Sequence, residues 1–103
     1  MPYTSNGGAL DLGEALMMCG DREKGEEIIV KSCINDLEYI AYYLTLGDSR
    51  FYSMSREINL CIYWARDAYF ILKHMKSDKA DAIEAELSAL LSQLEDRNFN
   101  FRF

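Results

Sequence analysis

The chain has 103 residues, of which 50% are apolar and 27% are charged, so we expect one small folded domain rather than a disordered chain. Its net charge of −6 at pH 7 argues against general nucleic-acid binding, which needs a basic face. No apolar run reaches the length of about eighteen residues that spans a membrane, and the three cysteines form no CxxC pair, which suits the cytoplasm.

In chain order, residues 1–8 are polar and contain Asn6-Gly7-Gly8, so they are interpreted as a flexible leader. Residues 9–97 are expected to form a single helical domain, and residues 98–103 an aromatic tail. Apolar spacing predicts a short first helix over residues 9–19, ended by Gly20 and weakened by Gly13.

A second helix is predicted to be firm from residue 26 to residue 46, because Gly25 is a weak point and Gly47 suits a helix C-terminus. Residues 48–53 are then expected to form a loop. The predicted buried seam of this helix has the three- and four-residue spacing of a bundle and comprises Val30, Cys33, Leu37, Ile40 and Leu44.

The third predicted helix, over residues 55–76, is apolar around more than half of its circumference and is expected to be the centre of the fold. Because it is this apolar, it must be covered on two sides. Its seam comprises Ile58, Cys61, Ala65, Ala68, Leu72 and Met75.

The last helix is predicted to begin after a cap at Ser77 or Asp78 and to bury one narrow stripe, made of Ala80, Ile83, Leu87, Leu90, Leu91 and Leu94. Short connections place successive helices antiparallel to each other. The predicted fold class is therefore all-α: an antiparallel three-helix bundle with a short extra N-terminal helix.

One strip of the central helix is basic and aromatic on an otherwise acidic chain. Arginine binds phosphate or carboxylate through two parallel hydrogen bonds, and an aromatic ring stacks on a base. The strip is therefore a candidate site for a protein partner or for a phosphate-bearing ligand such as a nucleotide, and a solvated face is the alternative. It comprises Arg56, Tyr63, Arg66, Lys73 and His74.

A second strip of the same helix is apolar and comprises Leu60, Trp64 and Ile71. Tryptophan is enriched at interface hot spots, so this strip is a candidate interface for a homodimer or higher homo-oligomer. The alternative is that the N-terminal helix and the C-terminal tail cover it. The tail itself folds back, with Phe99 and Phe101 closing the end of the bundle, stays disordered, or docks on a partner.

Arg66 and His74 are partly similar to the signature of the HEPN ribonucleases, an Arg followed after four to six residues by a His. Seven residues intervene here, and the two positions lie about 80° apart on a helical wheel, so the chain departs from that signature. No phosphate-binding loop, metalloprotease or nucleophile-elbow motif occurs, and one His with three separate Cys suggests no metal site. The sequence predicts a protein that is not an enzyme and has no cofactor.

These observations favour a small acidic helical regulator or inhibitor that acts by binding another protein, as compact bundles encoded by bacteria or their phages often do. We expect no direct general nucleic-acid binding and no membrane binding. The alternatives are an oligomer that binds or sequesters a phosphate-bearing ligand, and a HEPN-like helical nuclease.

Overall fold

The computed structural model describes residues 7–99, and within that range it contains helices and no strand, which confirms the all-α prediction. No helix in residues 7–99 has the length and apolar character needed to cross a membrane. The elements are α1 (Gly7–Met18), α2 (Arg22–Tyr43), α3 (Asp48–Ser53), α4 (Ser55–His74) and α5 (Ala80–Asp96).

Side-chain contacts between the long helices set their directions. The Cys33 thiol of α2 lies 3.6 Å from the Ala65 carbonyl oxygen in the middle of α4, and Arg22 at the start of α2 donates to the Met75 carbonyl just past the end of α4. Helices α2 and α4 are therefore antiparallel. Arg97, just past the end of α5, donates to the Leu44 carbonyl at the end of α2, so α5 runs in the same direction as α2.

The core follows the predicted seam of α4. Five of its six residues are fully buried, and only Met75, beyond the last turn, is half-buried. The seam predicted for α2 is confirmed at Cys33, Leu37 and Ile40, which are buried. Its end positions, Val30 and Leu44, are half-buried and pack against the core, and their neighbours Ile29 and Tyr43 are buried more completely. The reason is that α2 packs against α1, α4 and α5, so its buried face is wider than one seam and is rotated toward α1.

Helices α1 and α2 touch through two glycines. A Cβ placed on Gly13 would lie 2.5 Å from Ile29 Cγ1, and one placed on Gly25 would lie 2.7 Å from the Met17 backbone nitrogen. Both glycines were predicted to be weak points, and that interpretation missed their role. They allow the two backbones to approach closely, and α2 is continuous from Arg22 rather than firm only from Glu26.

Three helices end in the same hydrogen-bond pattern around a residue with positive φ. Those residues are Gly20 (φ 103°), Lys76 (φ 58°) and Asn98 (φ 56°). After each of them the next amide bonds back five residues, at 2.9 to 3.0 Å, as in a Schellman motif. The motif after α5 turns Phe99 back onto the bundle, where it is buried.

The segment expected to be a loop is the short helix α3, which begins after Gly47. Its Phe51 side chain is fully buried and meets the Phe99 ring edge-on, with the centroids 5.7 Å apart. Burial of one aromatic side chain outweighs the weak helix propensity of a six-residue segment. Of the alternatives left open for the tail, folding back is the one observed for Phe99, and Phe101 lies outside the described residues.

Candidate functional site

The predicted basic strip lies along the outward side of α4. Four of its residues are exposed, and Arg66 is half-buried: the exposed ones are Arg56, Tyr63, Lys73 and His74. Positions 56, 63 and 70 repeat every seven residues, so they share one face of the helix. The strip is thus a ridge of about 25 Å along α4, from the rise of 1.5 Å per residue, and not a cavity.

Phe70 belongs to this ridge and was not included in the predicted site. It is 54% exposed, and Tyr63, one heptad earlier, is 48% exposed. Tyr63 packs edge-on against Trp64 at a centroid distance of 4.8 Å, and Phe70 lies 5.3 Å from Tyr69. Each exposed ring is therefore supported by a neighbouring ring. The signal in the sequence was an aromatic residue on the polar arc of the wheel.

The basic end of the strip lies next to a polar contact between α4 and α5. The Lys73 ammonium lies 5.6 Å from the centroid of the Tyr69 ring, and the Tyr69 hydroxyl donates to the Glu84 carboxylate of α5. A hydrogen bond to Tyr69, with Tyr69 and Glu84 charge effects next, raises the pKa of Lys73. The Lys73 ammonium therefore lies beside the aromatic rings of this strip.

Arg66 and His74 are separated by about 12 Å along the axis of α4, because they are eight positions apart in the helix and each step rises by 1.5 Å. His74 is exposed at the last residue of the helix, whereas Arg66 is half-buried. The fold therefore gives these two side chains different surroundings rather than one common pocket.

The predicted apolar strip of Leu60, Trp64 and Ile71 is half-buried. The start of α1 covers part of it, because a Cβ on Gly7 would lie 2.8 Å from Trp64 Cη2. The Trp64 indole nitrogen is buried and has no hydrogen-bond partner among residues 7–99. The sequence left two possibilities for this strip, contact with a second subunit or with the N-terminal helix. At Trp64, the N-terminal helix makes the contact.

The core holds polar groups that the sequence interpretation did not single out. Asp36 and Ser32 of α2 are buried, with 1% and 7% exposure. The Cys33 thiol lies beside them, and burial, then the charges of Asp36 and Glu86, raises its pKa to about 12. Cys33 therefore stays protonated at neutral pH and is a poor nucleophile, as expected for a structural cysteine.

Arg97 is the main residue that the sequence interpretation missed. Its guanidinium donates to the carbonyls of Leu44 at 3.2 Å and Leu46 at 3.0 Å and pairs with Asp48 at 2.7 Å. It also lies 3.8 Å from the centroid of the Phe51 ring. Arg97 therefore supplies hydrogen bonds to backbone carbonyls at the end of α2 and joins that end to α3 and α5, which is a structural role.

Three open grooves lie on other helices, and none of the residues that line them belongs to the basic strip. One, of about 300 Å³, lies along α2 at Asn35, Glu38, Tyr39 and Tyr42. The other two, of about 440 and 300 Å³, share Val30, Ile34 and Lys79 and form one continuous groove between α2 and the start of α5.

The fold and these surfaces define the class of protein as a small all-α helical bundle with an aromatic and basic ridge on one helix. Comparisons with family models, curated proteins and solved structures found no match, so any functional assignment depends on the surfaces themselves.

Proposed function

We propose that this protein is a small regulator or inhibitor that acts in the cytoplasm by binding another protein. The observation that carries the proposal is the pair of exposed rings, Tyr63 and Phe70, on one face of α4 beside Lys73. Aromatic side chains are enriched at the centres of interfaces, and each buries a large apolar area when it is covered.

The charges around the rings favour an acidic patch on the partner. Arg56 lies before the two rings along α4, and the Lys73 ammonium lies next to them, 5.6 Å from the centroid of the Tyr69 ring. Opposite charges on the partner would accelerate association and select the correct orientation, while the aromatic rings would supply most of the affinity.

A matched pair of substitutions tests this surface. Phe70 and Leu12 are equally exposed, at 54% and 55%, but Leu12 lies on α1. In a pull-down from the source organism, proteins captured by the wild type should be lost with Phe70→Asp and retained with Leu12→Asp. Circular dichroism should show that both variants remain folded. Equal capture by both variants would refute the α4 surface.

Self-association as a homodimer or higher homo-oligomer belongs to the same proposal, because α4 exposes apolar area on Tyr63 and on the uncovered part of the Leu60, Trp64 and Ile71 strip. Light scattering coupled to size-exclusion chromatography measures the mass directly. A monomer at high micromolar concentration would refute self-association and leave the binding of a different protein open to the pull-down.

A further inference from the structure

The groove between α2 and the start of α5 has an apolar floor. Val30 and Ile34 stand one helical turn apart on α2, and Ala82 and Ile83 face them from α5. Ile34 is 43% exposed, which is a large exposed fraction for isoleucine. Along α2 the lining extends from Glu23 to Ile34, about 16 Å at 1.5 Å per residue, or three turns of a helix.

The rim of the groove is acidic. Five carboxylates against two lysine ammonium groups leave a net charge of −3, half of the −6 carried by the whole chain. One carboxylate, that of Glu26, accepts a hydrogen bond from the Ser77 hydroxyl at 2.6 Å. The acidic residues are Glu23, Glu26, Glu27, Asp78 and Glu86, and the two basic residues are Lys31 and Lys79.

We propose that this groove binds a basic amphipathic helix of a partner protein, with the apolar side of that helix on Val30 and Ile34 and its Lys or Arg residues against the acidic rim. This inference rests on the proposed function as a binding protein and adds a second surface to it. The mode is that of a helix in a groove, with anchors at i, i+3, i+4 and i+7.

The charge of the rim selects this occupant over others. A second copy of the chain that docked through the same groove would bring one acidic groove against another, and like charges at an interface are unfavourable. Nucleic acid and anionic lipid surfaces are repelled for the same reason. A basic helix instead supplies counter-charges on both sides of an apolar stripe, and the acidic rim would accelerate its association.

The test uses a fluorescent peptide of about fourteen residues, with leucine at i, i+3, i+4 and i+7 and lysine on the other side, and with both ends blocked. Fluorescence anisotropy with the full chain in about 0.1 M salt should give a dissociation constant below about 100 µM. A scrambled peptide of the same composition should bind at least about tenfold more weakly, because its apolar side is lost.

Two charge variants locate the site. Glu27→Lys on the rim and Glu95→Lys near the end of α5 change the net charge equally, and both side chains are exposed. Glu27→Lys should weaken peptide binding at least about tenfold, and Glu95→Lys less than about threefold, because exposed charges act over about 10 Å in salt. Ile34→Asp should abolish binding, and circular dichroism checks its folding.

The outcomes separate this inference from the proposed function. Equal weakening by Glu27→Lys and Glu95→Lys, equal binding of the scrambled peptide, or no binding at all would overturn the groove. Each would leave the pull-down through Phe70 unaffected. Loss of peptide binding in Phe70→Asp, with Glu27→Lys unchanged, would move the peptide site to α4 and overturn the groove.

Discussion

The two faces of α2 are packed in different ways. Helices α2 and α4 pack through a core of side chains: Leu37 and Ile40 of α2 and Ala65 and Leu72 of α4 are all buried, and the Cys33 thiol lies 3.6 Å from the Ala65 carbonyl oxygen. Against α1, Gly13 and Gly25 leave the backbones of the two helices in direct contact.

Glycine in a helix therefore has two opposite effects on stability. By propensity, it costs about 1 kcal/mol relative to alanine in a helix interior. At a close crossing, it is the residue that fits, because any Cβ would fall on the neighbouring backbone. At Gly25 the close crossing decides. At Gly8, where no atom outside its own helix lies within 4 Å of an added Cβ, only the cost in helix propensity applies.

The largest loss of stability is expected from substitutions where α2 packs against α4. Leu37→Ala and Leu72→Ala should each lower the free energy of unfolding by about 2–5 kcal/mol, because each removes buried methyl groups and leaves a cavity. Urea denaturation followed by circular dichroism measures it. Leu12→Ala, at an exposed position, is the control and should change stability by less than about 0.5 kcal/mol. A loss below about 1 kcal/mol at Leu37 or Leu72 would contradict the assigned core.

The next largest loss of stability is expected where α2 packs against α1, and it comes from adding a methyl group rather than from removing one. Gly25→Ala adds one methyl group, yet it should destabilise the protein by about 2–3 kcal/mol, because the helices must separate to admit it. Gly8→Ala should be neutral or stabilise by up to about 1 kcal/mol through helix propensity. The same denaturation experiment measures both variants. If Gly25→Ala stabilised the protein as Gly8→Ala does, the close crossing would be wrong.

Most of the fold was predictable because the buried positions of each helix repeat at the helical period. The α4 seam and the α5 stripe repeat at the helical period, so Ala65 and Leu87 were placed in the core from the sequence alone. The failures lie where distant contacts decide. Phe51 makes α3 a helix by burial against Phe99, 48 positions along the chain, and no local pattern shows that contact.

The candidate surfaces divide in the same way. The strip through Tyr63 was placed on one face of α4 because a helical wheel requires only the spacing of residues along one helix. The groove at Ile34 needs the distance between α2 and α5, which the sequence does not contain. Arg97 was missed for the same reason, since its partners, Leu44 and Leu46, lie 53 and 51 positions away.

Arg97 extends the comparison to the end of α2, where the backbone is again contacted directly, but by a polar side chain. Arg97→Ala should lower the free energy of unfolding by about 2 kcal/mol, because two carbonyls lose a charged donor. Asp48→Ala should cost less than about 0.5 kcal/mol, since Asp48 is 85% exposed and its ion pair is screened. Equal losses in the two variants, by thermal or urea denaturation, would place the value of Arg97 in the ion pair rather than in the carbonyl contacts.

The smallest effect concerns the Cys33 thiol, which lies within the α2–α4 contact. Its pKa is raised from 9.0 to about 12 in the folded state, so the unfolded state loses the thiol proton first as the pH rises. The contribution to stability is therefore complete below about pH 9 and falls above it, by about 1.4 kcal/mol at pH 10. The loss of stability between pH 8 and pH 10 should be smaller by about that amount in Cys33→Ala than in the wild type. Cys19→Ala, which removes an exposed thiol, should leave the loss unchanged. Urea denaturation at the two pH values measures all three proteins, and an unchanged loss in Cys33→Ala would mean that water reaches this thiol and that the α2–α4 contact is looser than its burial indicates.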